Sequence, residues 1–191
     1  MEHDSINILR GKINEIVTLS PSSEDFIHSI NTFEWVCKLY PAAEDDHALE
    51  IAALGHDIER GFNDRRIESR GYESYDEFKQ AHALNSAEIL VELMEECGNE
   101  QALTHDVAHL VAHHETGGNE REEILKDANV LSFFHVCLPL YYDRRGTDIT
   151  KKRCVWGYNK LSDKFRVHIR EMEFIDSDLL ELINESIGSG D

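Results

Sequence analysis

The sequence predicts an all-α fold, a single domain of about seven or eight helices. Three observations predict it. Apolar residues recur with helical period along almost the whole chain. Glycine and proline are sparse, at 11 and 3 among 191 residues. No segment alternates polar and apolar residues as a half-buried strand would. The length fits one domain able to bury a core without disulfides. Its core is expected over about residues 22–145, with a helical extension over 146–191.

The boundaries follow from local signals. A first helix over 5–19 stops at Ser20-Pro21. Ser22 or Ser23 can cap a second over 24–40, which Pro41 ends. A third is predicted over 43–60, with Gly61 as its stop. Residues 61–74 carry Arg65, Arg66 and Arg70 on a long polar loop, a kind of connection that is often functional. A fourth helix is predicted over 75–97, a fifth over 100–115 up to Gly117-Gly118, and a sixth over 120–142, kinked by Pro139. One or two more cover 150–187, and residues 188–191 are expected to fray.

Composition narrows the function. The chain has 38 acidic against 19 basic residues, a formal charge of -19. Such a surface repels nucleic-acid backbones, so DNA or RNA binding is not expected. A small anionic substrate remains compatible, because a bound metal and a few arginines invert the local field. Cys37, Cys97, Cys137 and Cys154 form no CxxC pair and read as free thiols. The opening MEHDSINILRGKINEI is not a signal peptide pattern, and no apolar run is long enough to span a membrane. A cytoplasmic protein is the expectation, and oligomer formation is compatible with the composition.

Helical phase singles out polar residues where apolar ones belong. Leu49, Ala52, Ala53 and His56 share one face, with Asp57 on the adjoining edge. Ile124, Asp127, Leu131 and Phe134 line up likewise. A buried carboxylate without a partner costs several kcal/mol, so Asp127 needs a cation or strong donors. His114 follows Val107, Leu110 and Val111 inward, whereas His113 follows Asp106 and His109 on the polar face. His28 lies in line with Thr32 and Trp35, and His82 edges the stripe Ala83, Ala87, Leu90, Met94. A single histidine on an apolar face is usually a satisfied core residue. Six candidates on five helices are how a bundle builds a metal centre from facing helices. Imidazole and carboxylate donors suit Fe, Mn, Co, Zn or Ni. A weaker rival is His109 with His113 at i, i+4, on the polar face.

The order His28, His56-Asp57, Asp127 resembles the H…HD…D signature of the HD superfamily of metal-dependent phosphohydrolases. ALEIAALGHDIER (48–60) resembles its apolar helix ending in HD, and LKDANVLSFF (125–134) its last aspartate segment. HALNSAEIL (82–90) and HHETGG (113–118) resemble further segments of a two-metal subgroup. That subgroup includes diadenosine tetraphosphate hydrolases, HD-GYP phosphodiesterases and diiron oxygenases. No GYP motif stands in the required place.

The resemblance implies an HD-type bundle with one or two divalent ions, Mg included. His28, His56, Asp57 and Asp127 would hold the first ion, and His82 and His114 a second bridged by Asp57. It implies a metal-activated water attacking a phosphomonoester or phosphoanhydride, most simply of a nucleotide. Catalytic roles fall to Asp57, Glu59 and Arg60, with Glu59 moving a proton or orienting the water. Substrate phosphates fall to Arg60, Arg65 and Arg66. The positive run Arg144, Arg145, Lys151, Lys152, Arg153 reads as a solvated turn and helix start, the alternative being a substrate-anion clamp from the C-terminal region. The alternatives are a diiron oxygenase on a small polar substrate and a non-catalytic nucleotide-sensing module.

Overall fold

Local capping decides where the helices begin. In the computed structural model, which describes residues 2–188, the Asp46 side chain accepts from Leu49 N at 3.0 Å and starts α3. Ser74 does the same for α4 through Glu77 N at 3.1 Å. Asn119 and Glu122 form a reciprocal capping box at the start of α6. Asp176 caps the last helix.

The described residues form an all-α fold of ten helices: α1 Glu2–Thr18, α2 Asp25–Leu39, α3 His47–Gly55, α4 Tyr75–Glu96, α5 Gln101–Ala112, α6 Glu120–Ser132, α7 Leu138–Arg145, α8 Thr147–Lys160, α9 Val167–Glu171 and α10 Ser177–Ile187. The count exceeds the expected seven or eight because two long stretches break. The stretch predicted over 120–142 passes through one π turn, Phe133–Cys137, between α6 and α7. Pro139 lacks an N–H and its ring crowds the carbonyl four residues back, and a widened turn just before it relieves that crowding. The stretch predicted over 150–187 divides into α8, α9 and α10. The helix predicted over 43–60 is shorter, with 3₁₀ turns at Pro41–Asp45 and Ile58–Gly61 on either side. The fraying expected of the tail falls, for residues 189–191, outside the described residues. No helix among the described residues is long and apolar enough to cross a membrane.

α2 packs between α3 and α6, while α5 packs on α3 and α4. Leu49, Ile51, Leu90, Val111, Leu125, Leu131 and Phe134 fill the centre, fully buried. Leu9 and Ile13 of α1 belong to the same apolar cluster, and so do Cys154, Leu161, Leu179 and Ile183 of the C-terminal third. This arrangement turns one face of α2, α4 and α6 and the C-terminal ends of α3 and α5 toward a common centre.

Two glycines allow close approach. A Cβ on Gly61 would stand 2.2 Å from the Ile16 carbonyl oxygen, so α1 rests directly on this turn. A Cβ on Gly157 would stand 3.0 Å from the Phe134 ring, so α8 lies close on α6. Gly61→Ala must displace backbone, and we expect a loss of about 1–3 kcal/mol, as for overpacking elsewhere. Gly11 lies on the exposed face of α1 with open space around it. Gly11→Ala should gain up to about 1 kcal/mol from helix propensity. Thermal unfolding of the two variants should therefore shift in opposite directions.

Candidate metal centre

Four imidazoles converge on one carboxylate. His28 comes from the first turn of α2 and His82 from α4, whereas His56 and His114 follow the C-terminal ends of α3 and α5. The helix ends explain the last two. The final carbonyls of a helix lack intrahelical partners. His56 Nδ1 donates to the Ala53 carbonyl at 2.9 Å, and His114 Nδ1 to the Val111 carbonyl at 2.7 Å. Each such bond fixes the ring and leaves Nε2 facing inward as a lone pair.

The other two rings are fixed by side chains. Ser132 Oγ donates to the His28 carbonyl at 3.0 Å, so it must accept from His28 Nδ1 at 2.8 Å. His82 Nδ1 donates to Glu59 Oε1 at 2.9 Å. All four Nε2 atoms thus turn toward Asp57. This is the orienting arrangement that metal-ligating histidines ordinarily have.

Asp57 divides the four into two pairs. Its Oδ2 lies 3.9 Å from His28 Nε2 and 3.6 Å from His56 Nε2. Its Oδ1 lies 2.6 Å from His82 Nε2 and 4.0 Å from His114 Nε2. His28 Nε2 and His56 Nε2 face each other at 3.3 Å, and His28 Nε2 also faces Asn129 Oδ1 at 3.1 Å. His114 Nε2 is buried without a hydrogen-bond partner. Acceptor therefore faces acceptor, and only protons or cations between them relieve the repulsion. Burial lowers the His56 pKa well below its ordinary value and pushes that of His28 down to about 4, so these rings are neutral near pH 7. Neutral imidazole is the form that binds metal. Two groups, His28-His56-Asp57 and Asp57-His82-His114, can each hold an ion, with Asp57 shared between them.

The surrounding charges are ordered around this pair of sites. Arg60 Nη1 lies 2.7 Å from Asp57 Oδ2 and 3.0 Å from Asp25 Oδ1. Burial would raise the Asp57 carboxyl, but the Arg60 guanidinium beside it holds it well below the usual carboxylate range. Lys79 Nζ meets Glu115 Oε1 at 2.5 Å, and that oxygen is 3.4 Å from His114 Nε2. Burial likewise opposes the Glu115 charge, and Lys79 beside it more than offsets it. A cavity of about 460 Å³ opens beside the centre, where His28, Asp57, Arg60, Lys79, Glu115 and Asn129 line it.

Five of the six expected ligands meet; Asp127 is in neither group. It is fully buried as phase implied, but its Oδ1 accepts from Ser162 N at 2.9 Å. Asp127 therefore anchors the chain just after α8. Asn129 stands about 200° around α6 from it and faces His28 instead. Phase reported burial correctly without telling which neighbour, α2 or α8, each side of α6 meets.

Three other groups of residues are placed differently from the expectation. Glu59 does not line the cavity. One oxygen holds the His82 ring and the other accepts from Ile67 N at 2.8 Å, so both oxygens are engaged in fixing neighbouring groups. Arg65 and Arg66 do not line the cavity either. Glu59 ties the 62–74 loop back, Arg65 pairs with Glu92 at 2.5 and 3.0 Å, and Arg66 is exposed. Conversely, Arg144, Arg145 and Arg153 do line it, whereas Lys151 and Lys152 are exposed.

Lys79, Glu115 and Asn129 went unmarked in the sequence. A lysine one turn before His82, and a glutamate directly after His114, were the available signals. The rival group His109-His113-Glu122 also comes together, at the surface. There Glu122 already accepts from Asn119 N in the capping box. His113 stays on the outer side while His114 is fully buried, as phase required.

No curated protein and no solved structure matches the chain. Residues 9–183 match the family described as Domain of unknown function (DUF4202), a span that takes in every helix contributing to the centre. The chain belongs to the DUF4202 family.

Proposed function

We propose that the chain is a metal-dependent phosphohydrolase of the HD type, acting on a small phosphomonoester or phosphoanhydride such as a nucleotide. The observation that carries this reading is the shared Asp57, with two inward-facing imidazole nitrogens on each of its oxygens. A pair of divalent ions (Fe, Mn, Co, Zn, Ni or Mg) bound there would supply an acidified water and polarise phosphoryl oxygens.

The residues of the chain supply the rest. Arg60 borders the cavity and is held by Asp25 and Asp57, so it is placed to neutralise charge developing on a phosphoryl group. Asp25 in turn accepts from Ser20 Oγ at 2.5 Å, which fixes the carboxylate that steers Arg60. Lys79 sits as a buried cation in the same lining, balanced by Glu115. The Glu59–His82 bond keeps His82 Nε2 on Asp57. Asn129 Oδ1 offers a neutral oxygen beside His28, where a further ligand atom for the first ion would stand.

Metal analysis of the purified protein should find up to two divalent ions per chain, and Asp57→Ala should lose both with at least a thousandfold loss of phosphate release. Asn129→Ala should weaken metal retention, whereas Asp127→Asn should keep the metal and lower thermal stability. If Asp127→Asn strips the metal and Asn129→Ala does not, the assignment of these two positions is wrong. Glu59→Gln should lower metal affinity or activity about 10- to 100-fold, as orienting partners of metal ligands do.

The reaction class is tested by phosphate release from a panel of nucleotides and phosphoesters. Metal-dependent release supports it. Metal-loaded protein that releases none, or that binds iron tightly and consumes oxygen with substrate, contradicts it.

A further inference from the structure

The cavity extends from the buried centre to an open side formed by α7 and α8, where Arg144, Arg145 and Arg153 line it. Arg144 is paired with Glu24. Arg145 and Arg153 are different. Neither has a carboxylate partner among the described residues, in a chain with twice as many acidic as basic side chains. Acidic neighbours are abundant, so a cavity-lining arginine left unpaired is the exception here.

Arg153 is also held in place. Its guanidinium lies 4.1 Å from the Trp156 ring centre, 4.6 Å from Phe133 and 5.1 Å from Tyr75. Aromatic faces stabilise a guanidinium through its flat side and restrict its rotation. They leave its N–H edge without acceptors, and Arg153 Nη1 is indeed buried with no hydrogen-bond partner. A buried, charged donor without an acceptor is costly. An anionic oxygen in the plane of the fork would satisfy it. Trp156, Phe133 and Tyr75 border the same cavity, so such an oxygen would enter from the cavity side.

We propose that Arg153 and Arg145 form an anion subsite that receives a second acidic group of the substrate, while the reacting phosphoryl group lies at the Asp57 centre. The substrate class is thus a phosphoester or phosphoanhydride with a second anionic group, a phosphate or a carboxylate. The subsite rests on the phosphohydrolase reading only for the identity of the reacting group. The close approach of α8 over Gly157, and the Asp127 bond to Ser162 N, hold Arg153 over the cavity.

Two measurements test this. Inorganic sulfate, titrated into the metal-bound protein at constant ionic strength, should change tryptophan fluorescence saturably through Trp156. Arg145→Gln/Arg153→Met should weaken that response about 10- to 100-fold, as loss of charge-assisted hydrogen bonds does. Arg153→Lys keeps the charge but not the fork and should be intermediate. Arg145→Gln alters an exposed side chain and should leave the fold undisturbed.

The second measurement is the ratio of kcat/KM for a nucleoside diphosphate and for a sugar bisphosphate to that for p-nitrophenyl phosphate. It should fall at least tenfold in the double variant, through KM, and stay unchanged in Lys152→Gln. Which of the two substrates shows the larger fall tells a nucleotide from a sugar phosphate. A sulfate response that is absent, or equal in wild type and double variant, overturns the subsite. A sulfate response lost in the double variant, with no phosphoester hydrolysed by any form, upholds the subsite and overturns the phosphohydrolase reading.

Discussion

A carboxylate surrounded by four imidazoles, each with its proton turned outward, is the constraint around which this fold is arranged. Asp57 is buried, and each of its oxygens faces two imidazole Nε2 atoms. Without protons or cations between these atoms that arrangement is repulsive. The outward bonds from each Nδ1 to Ala53, Val111, Ser132 and Glu59 nevertheless impose it. Two of the acceptors are carbonyls in the last turns of helices, so the lengths of α3 and α5 are themselves part of the centre. A helix α3 continued through residue 60, as periodicity suggested, would carry His56 off that carbonyl and rotate Asp57 away from the other rings.

The C-terminal third completes the site rather than standing apart from it. Gly157 lets α8 settle on Phe134, and Asp127 fastens the chain just beyond α8. Through those contacts Arg153 and Trp156 come to border a cavity whose buried end is made by α2, α4 and the turns after α3 and α5. In an acidic chain this concentrates positive charge at one place: Arg60, Lys79, Arg144, Arg145 and Arg153 all border a single cavity. The overall charge disfavours a polyanion, while the local charge favours a small one.

Much of this was legible in the sequence because burial and helical phase are local properties. His56 at the end of an apolar stripe, His114 chosen over His113, and the all-helical class needed only periodicity. The identity of facing elements is not local. Asp127 and Asn129 lie on the same helix, both directed inward, and only the packing of α2 on one side and α8 on the other separates their roles. The same holds for the arginines. Arg65 and Arg66 sit close to the His56-Asp57 pair in sequence, yet Glu59 folds their loop outward. Arg153 is remote in sequence and is brought in by a glycine contact. Charge runs could be seen in the sequence, but not the surface against which each would fall.

The central claim is that Asp57 bridges two metal sites. A crystal structure with anomalous scattering at the metal edges tests it most directly. The account predicts two peaks flanking the Asp57 carboxylate, one beside His28 and His56 and the other beside His82 and His114. Metal-replete crystals with no peak at Asp57, or with a peak only at the surface group His109-His113-Glu122, would contradict it.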